Sequence, residues 1–225
     1  HACKVYDLAE NPFDKMVRMG KPDADEMVFW TIDEYNAFIA QIEPGARYYV
    51  LFELLFWTGS RIGEALALTK ADIDTVNYRL RINKTYYRKH KEDFITPPKT
   101  EQSIRTIDIP EFLVKELKEY MDKLYGLQED DRIFPIVAES VQHKMKRVIE
   151  KHHLKKIRVH DLRHSHAAYL IDHGVQPLMI KERFGHKDIR VTLNTYGHLY
   201  PTKQKELAEM LNAQREEGRK TECSV

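Results

Sequence analysis

Cysteine is scarce in this sequence. Its 225 residues hold two, Cys3 and Cys223, at opposite ends. A disulfide scaffold needs more, and a zinc site needs closer spacing. There is also no uninterrupted apolar run of about 18 residues, the length a membrane-spanning helix demands. The greasiest stretch, residues 48–57, is broken by Glu53. No basic-then-apolar leader opens the chain, and its first residue is His1 rather than Met. It reads as a piece of a longer cytosolic protein with no membrane role. Net charge is nearly absent as well: 36 Lys and Arg against 35 Asp and Glu leave +1. What is present is 42% hydrophobic and 32% charged. That is the balance of a folded globular protein, not of a disordered chain. The length fits one large domain, or one and a small piece.

The small net charge hides segregation. Residues 79–106 carry 8 basic and 3 acidic side chains, and residues 141–200 carry 12 and 5. Acidic residues dominate residues 1–60 (10 against 5) and residues 107–140 (9 against 4). Two basic blocks folded onto one face would bind a phosphate backbone. Taken singly, each block is equally a solvated surface.

Breakers and periodicity outline the fold. Residues 1–30, with Pro12, Gly20 and Pro22, read as an irregular lead-in. Thr31 and Glu34 form a capping-box pattern ahead of Tyr35, Phe38, Ile39 and Ile42. Residues 46–58 are apolar nearly all round, which marks a buried central helix. Gly59 stops it, Ser60 is placed to cap the next, and residues 61–68 form a short helix. The period then shortens. Residues 73–87 and 104–109 alternate around the Pro97-Pro98 turn region, predicting an antiparallel sheet of about three strands. Helical spacing resumes with Pro110 in a first turn. It continues in a helix capped by Ser140, in residues 161–173, 177–184 and 188–199, and in a last helix from Thr202. The class is mainly α with a small antiparallel three-stranded β-sheet, in one domain.

Three segments offer chemistry. Arg61 directly follows the buried helix, where a charged root must meet an anion or a carboxylate. Glu64, three residues on, could simply pair with it. His160 and Arg163 share a helical face, setting a proton carrier beside a fixed positive fork. His160 and His164 also stand four apart, as two metal ligands would. Yet no acidic or Cys ligand shares that face, and zinc hydrolases usually show a Glu beside the His pair. His186 follows a helix end, and Tyr196 lies ten residues later. Taken alone, Tyr196 is an ordinary core tyrosine.

Together these segments resemble the tyrosine recombinase (phage integrase) family, especially integrases of conjugative transposons. The likeness covers residues 30–200 and rests on ordered motifs. They are Thr58-Gly59-x-Arg61-x-x-Glu64, His160-x-Leu162-Arg163-His164, Gly185-His186, and Tyr196. Phe184 stands where Leu is more usual. The resemblance implies the family's catalytic-domain fold over residues 31–200. It implies that residues 1–30 are a linker from an N-terminal DNA-binding domain, and that residues 201–225 form a helix that can dock on a neighbouring protomer. It implies catalytic roles for Arg61, Lys99, His160, Arg163, His186 and Tyr196, with Glu64 in support. Lys84, Lys89 and Lys91 flank the same hairpin as Lys99.

The implied reaction is attack by the Tyr196 hydroxyl on a DNA phosphodiester, giving a 3′-phosphotyrosine and a free 5′-hydroxyl. Arg61 and Arg163 would clamp the nonbridging oxygens and His186 would hydrogen-bond the phosphate. His160 could accept the tyrosine proton, and Lys99 would protonate the leaving oxygen. No metal, ATP or other cofactor is implied. The implied partners are double-stranded DNA, other copies of the chain in a tetramer, and an accessory DNA-bending or excision factor. The implied location is the bacterial cytoplasm, on the nucleoid. The rival readings are a type IB topoisomerase-like relaxing enzyme, a DNA-binding regulator without activity, and a metal nuclease.

Overall fold

A computed structural model of the chain describes residues 27–98, 103–200, 208–211 and 215. Most of the expected linker, residue Lys99, and most of the expected C-terminal helix lie outside the described residues; residues 208–211 are helical. The helices are α1 (Ile32–Ile39), α2 (Arg47–Thr58), α3 (Ile62–Ala67), α4 (Glu111–Asp122), α5 (Ala138–Lys151), α6 (Asp161–Asp172), α7 (Pro177–Phe184) and α8 (Ile189–Tyr196). The strands are β1 (Ile73–Asp74), β2 (Arg79–Ile82), β3 (Thr85–Lys89), β4 (Glu92–Thr96) and β5 (Arg105–Asp108).

Local chemistry explains most boundaries. The Thr31 N–H donates to Glu34 at 2.8 Å and the Thr31 hydroxyl accepts from the Glu34 N–H at 3.3 Å, closing the α1 capping box. Helix α2 is buried from Val50 to Phe56 and forms the centre of the main core. It ends where Gly59 turns left-handed at φ 64°. A methyl group on Gly59 would lie 2.5 Å from Phe184 Cε1 and 2.8 Å from His166 Cδ2, so the site needs glycine on two counts.

Three boundaries differ from the sequence reading. Ser60 does not cap α3: its hydroxyl pairs with Thr58, and Arg61 is the capping position, its N–H donating to Glu64. Ser140 does not cap α5, which starts at Ala138; the Ser140 hydroxyl donates back to the Val137 carbonyl at 2.7 Å, as serine does inside a first turn. Pro110 caps α4 from just outside the helix.

The expected sheet of about three strands is present as β1–β2–β5, all antiparallel, with Leu80 opposite Ile107. Leu80, Ile82 and Ile107 point into the core, while Arg79, Arg81 and Thr106 point out. Strands β3 and β4 form a separate hairpin rather than extending that sheet. Its turn residues His90 and Lys91 both have positive φ, at 52° and 68°.

A second, smaller core brings Ala167 and Ile171 of α6 against Ile180 and Phe184 of α7 and Tyr196 of α8. Tyr196 is therefore both the last residue of its helix and a core residue, 1% exposed.

Candidate active site

The site forms where the α2–α3 corner, β5, and helices α6, α7 and α8 meet. Glu64 is its electrostatic hinge. Its carboxylate accepts from Arg61 Nη1 at 2.9 Å and takes a bidentate pair from Arg105, with Nη2 at 2.8 Å and Nη1 at 3.2 Å. Burial works to raise the Glu64 pKa, but the Arg105 fork and the Arg61 charge hold it at about 2. Arg61 thus makes the intrahelical pair that was one of its two readings, yet its side chain stays 41% exposed. It can still turn part of its fork outward.

Arg163 roots in α6 and is 3% exposed. Its Nη1 donates to the Gly59 carbonyl at 2.7 Å and its Nη2 to the Phe184 carbonyl at 2.9 Å; its guanidinium lies over the Phe184 ring at 3.9 Å. Among the described residues no salt bridge joins it to a carboxylate. Burial and the nearby Arg61 charge push it down to about 9, still cationic at neutral pH. A buried guanidinium held by carbonyls is a fixed positive charge awaiting an anion.

His186 follows the left-handed Gly185 that ends α7. Its Nε2 lies 3.0 Å from Arg163 Nη2, and its Nδ1 lies 2.8 Å from Thr192 Oγ1. Arginine can only donate, so Nε2 accepts and the Nδ1 proton goes to Thr192. Burial and then Arg163 push His186 down to about 4, so the ring is neutral. In this arrangement His186 orients Arg163.

Tyr196 turns its hydroxyl toward α6, where it lies 3.0 Å from Nδ1 of His164. His160 is not the contact; its ring packs edge-on against His164, 5.3 Å between centroids. Burial raises the Tyr196 pKa to about 12, although Arg163 and Arg61 pull the other way.

Lys99 lies outside the described residues. Of the lysines flanking its hairpin, Lys84 is tied to Asp72 and Thr69, while Lys89 and Lys91 sit at the exposed β3–β4 end. The sequence reading brought Arg61, Glu64, Arg163, His186 and Tyr196 to one place and missed three partners. Arg105 was legible, since alternation puts it on the inward face with Ile107. His164 was weighed as a metal candidate and counted in the His160–His164 motif, but was given no catalytic role. Thr192 gave no signal. Among the described residues no group of three or more His, Cys, Asp or Glu side chains is placed to hold a metal ion.

Comparison with known proteins gives the architecture its relatives. The phage integrase family model matches residues 29–203. The ICEBs1 integrase of Bacillus subtilis (strain 168) is 36% identical, over 93% of this chain and 62% of the relative. A "tyrosine recombinase XerC-like" protein of Caldanaerobacter subterraneus subsp. tengcongensis is 29% identical, over 91% and 60%. The chain thus spans about three-fifths of the length of these relatives. The Tn1549 transposon integrase, solved in complex with transposon right end DNA, shares the fold at TM-score 0.78 and 24% identity, over 91% of this chain and 72% of that one. The catalytic domain of bacteriophage HP1 integrase does so at TM-score 0.57 and 21% identity, over 83% and 96%. With the family pattern running through nearly all of the described fold, the chain belongs to the phage integrase family of tyrosine recombinases.

Proposed function

We propose that this chain is the catalytic part of a mobile-element integrase, cleaving and rejoining double-stranded DNA through a 3′-phosphotyrosine at Tyr196. The observation that carries the reading is on α6. Arg163 presents a buried, carboxylate-free guanidinium, and the next residue, His164, holds the Tyr196 hydroxyl. Adjacent residues of α6 thus supply the anion clamp and the contact that holds the phenol nucleophile of α8 beside it.

In the reaction, a scissile phosphate displaces solvent between Arg61 and Arg163. Their forks stabilise the charge that grows on the nonbridging oxygens, each such donor being worth about 10²–10³ in rate. Glu64 and Arg105 keep Arg61 in register, and His186 keeps Arg163 in register. Lys99 protonates the 5′-oxygen as it leaves. The covalent bond stores the phosphodiester's energy, so rejoining needs no ATP. His160, beside the pair, adds a polar wall to the phosphate site.

The basic run from Lys144 to Arg158 borders a mostly apolar groove of about 460 Å³, lined by Met145, Ile149, Ile157 and Val159 with Lys146, Lys156 and Arg158 among them, that ends at His160. The exposed Lys146, Arg147, Lys151 and Lys156 of this run suit a DNA backbone and would make binding salt-dependent. Strand exchange between two duplexes calls for four copies, with residues 201–225 bridging neighbours and an accessory bending or excision factor setting direction. Residues 1–30 join the chain to an N-terminal DNA-binding domain. Among the described residues no helix is long and apolar enough to cross a membrane. The reading places the protein in the bacterial cytoplasm, acting on nucleoid DNA.

The test is a nicked DNA substrate that traps the cleaved strand. Wild type should form a covalent adduct that persists in chelator, and Tyr196→Phe should form none. Clean gel shifts without adduct would make the chain a DNA-binding regulator. Supercoil relaxation without joining of two sites would make it a topoisomerase.

A further inference from the structure

We propose that His164 is the base that takes the Tyr196 proton on cleavage and returns it on rejoining. The inference rests on the reading of Tyr196 as nucleophile and gives that nucleophile its proton acceptor.

The geometry singles out His164. Tyr196 is 1% exposed, so bulk water has almost no access to its hydroxyl. The oxygen lies 3.0 Å from Nδ1 of His164, within direct proton-transfer reach. His160 stands one turn earlier, at the N-cap of α6, and meets His164 through its ring edge, so it reaches the phenol only through its neighbour. His164 sits immediately after Arg163, so base and phosphate clamp cannot drift apart without unwinding α6. The groups that face His164 are His160, Asp161, Arg163 and Arg158 from its own helix and the turn before it, and Tyr196 from α8. Burial, then the His160 and Arg163 charges, lower its pKa, so at neutral pH the ring is uncharged and Nδ1 can accept. Asp161 pulls the other way and would steady the imidazolium once formed.

A base is needed here. With a pKa of about 12, Tyr196 is ionised in about one molecule in 10⁵ at neutral pH. In the step itself the Tyr196 oxygen bonds to phosphorus while its proton passes to Nδ1. The bond from phosphorus to the 5′-oxygen breaks, and that oxygen takes a proton from the general acid, Lys99 in the reading above. On rejoining, the 5′-hydroxyl attacks phosphorus and returns its proton to the now-neutral Lys99, the bond from phosphorus to the tyrosine oxygen breaks, and His164 gives that oxygen its proton back.

The experiment is single-turnover adduct formation on the nicked substrate with wild type, His164→Ala, His164→Asn and His160→Ala, across about pH 6–9. The two His164 variants should react about 10²–10⁴-fold more slowly. Asn keeps an acceptor near the hydroxyl but cannot carry the proton, so its slowness separates proton transfer from positioning. Added imidazole should speed His164→Ala and leave His160→Ala unchanged. The wild-type rate should level off above the His164 pKa, whereas the His164→Ala rate should climb with pH throughout. His164→Asn at the wild-type rate, imidazole rescue of His160→Ala alone, or a slow His164→Ala with an unrescued rate and unchanged pH profile would each overturn the assignment while leaving Tyr196 as nucleophile. Wild type that forms no adduct would overturn both.

Discussion

Replacing Arg105 by alanine should cost the fold about 3 kcal/mol at neutral pH. The figure comes from Glu64, whose carboxyl sits at about 2 rather than 4.5. A tenfold gain in acidity corresponds to about 1.36 kcal/mol, so the surroundings of Glu64 favour its ionised form by about 3 kcal/mol. The two side chains are 6% and 5% exposed, so solvent screens the pair little. Arg61 remains after the substitution and recovers a part, but Arg105 supplies the larger share of the attraction. Against that recovery, the Arg183 and Ser103 carbonyls each lose a donor. Breaking one side of a buried pair generally costs about 3–5 kcal/mol, which brackets the same figure. For a chain of this size that is a fall in Tm of about 6–12 °C. The pH dependence has a definite sign. A depressed folded pKa gives stability that is present above about pH 4.5 and is lost as pH falls through about 2. Thermal unfolding followed by circular dichroism at several pH values tests this. The gap between wild type and Arg105→Ala should be widest near neutrality and should narrow below about pH 4. A gap under about 2 °C at neutral pH, or one that widens in acid, would refute the role given to the pair.

Other perturbations separate further parts of the account. Gly59→Ala combines a left-handed backbone with a clash into Phe184 and His166, so chemical denaturation should show a loss of about 2–4 kcal/mol. Adduct formation should fall with it, because the Gly59 and Phe184 carbonyls hold Arg163. Glu116 is raised to about 7, by burial and then by Glu53, and its Oε2 is buried among the described residues without a hydrogen bond. Stability from its protonated form is full below about pH 4.5 and is lost as pH rises through 7. Glu116→Gln should therefore stabilise the fold at about pH 8 by about 1 kcal/mol once its partial exposure is allowed for, a rise in Tm of about 2–4 °C, and change little at about pH 4. His90→Asn with Lys91→Gly supplies the residues that a two-residue turn with positive φ prefers, and should stabilise by about 1–2 kcal/mol in the same melts.

How far the molecule could be read from its sequence depended on whether a feature was local. The α1 capping box, the Gly59 stop and the inward set of Leu80 and Ile82 follow from spacing alone, and each is found where spacing put it. The positions of Arg61, Arg163, His186 and Tyr196 came from ordered motifs. Their partners did not, because partners come from packing. Arg105 reaches Glu64 across 41 residues, and His164 meets Tyr196 across 32. Ser60 and Ser140 misled for the opposite reason. A serine before an apolar run suits a cap, yet each hydroxyl found a nearer partner in Thr58 or the Val137 carbonyl. The β3–β4 hairpin was merged into the main sheet because its residues share the same β-branched and aromatic character, and only pairing separates them.

The most direct measurement is the identity of the residue that carries the DNA. A trapped adduct digested with trypsin and nuclease should yield one modified peptide, residues 191–203, and fragmentation should place the nucleotide on Tyr196. Attachment to Tyr200, four residues on and itself bonded to the Val175 carbonyl, or to any serine, would contradict the account.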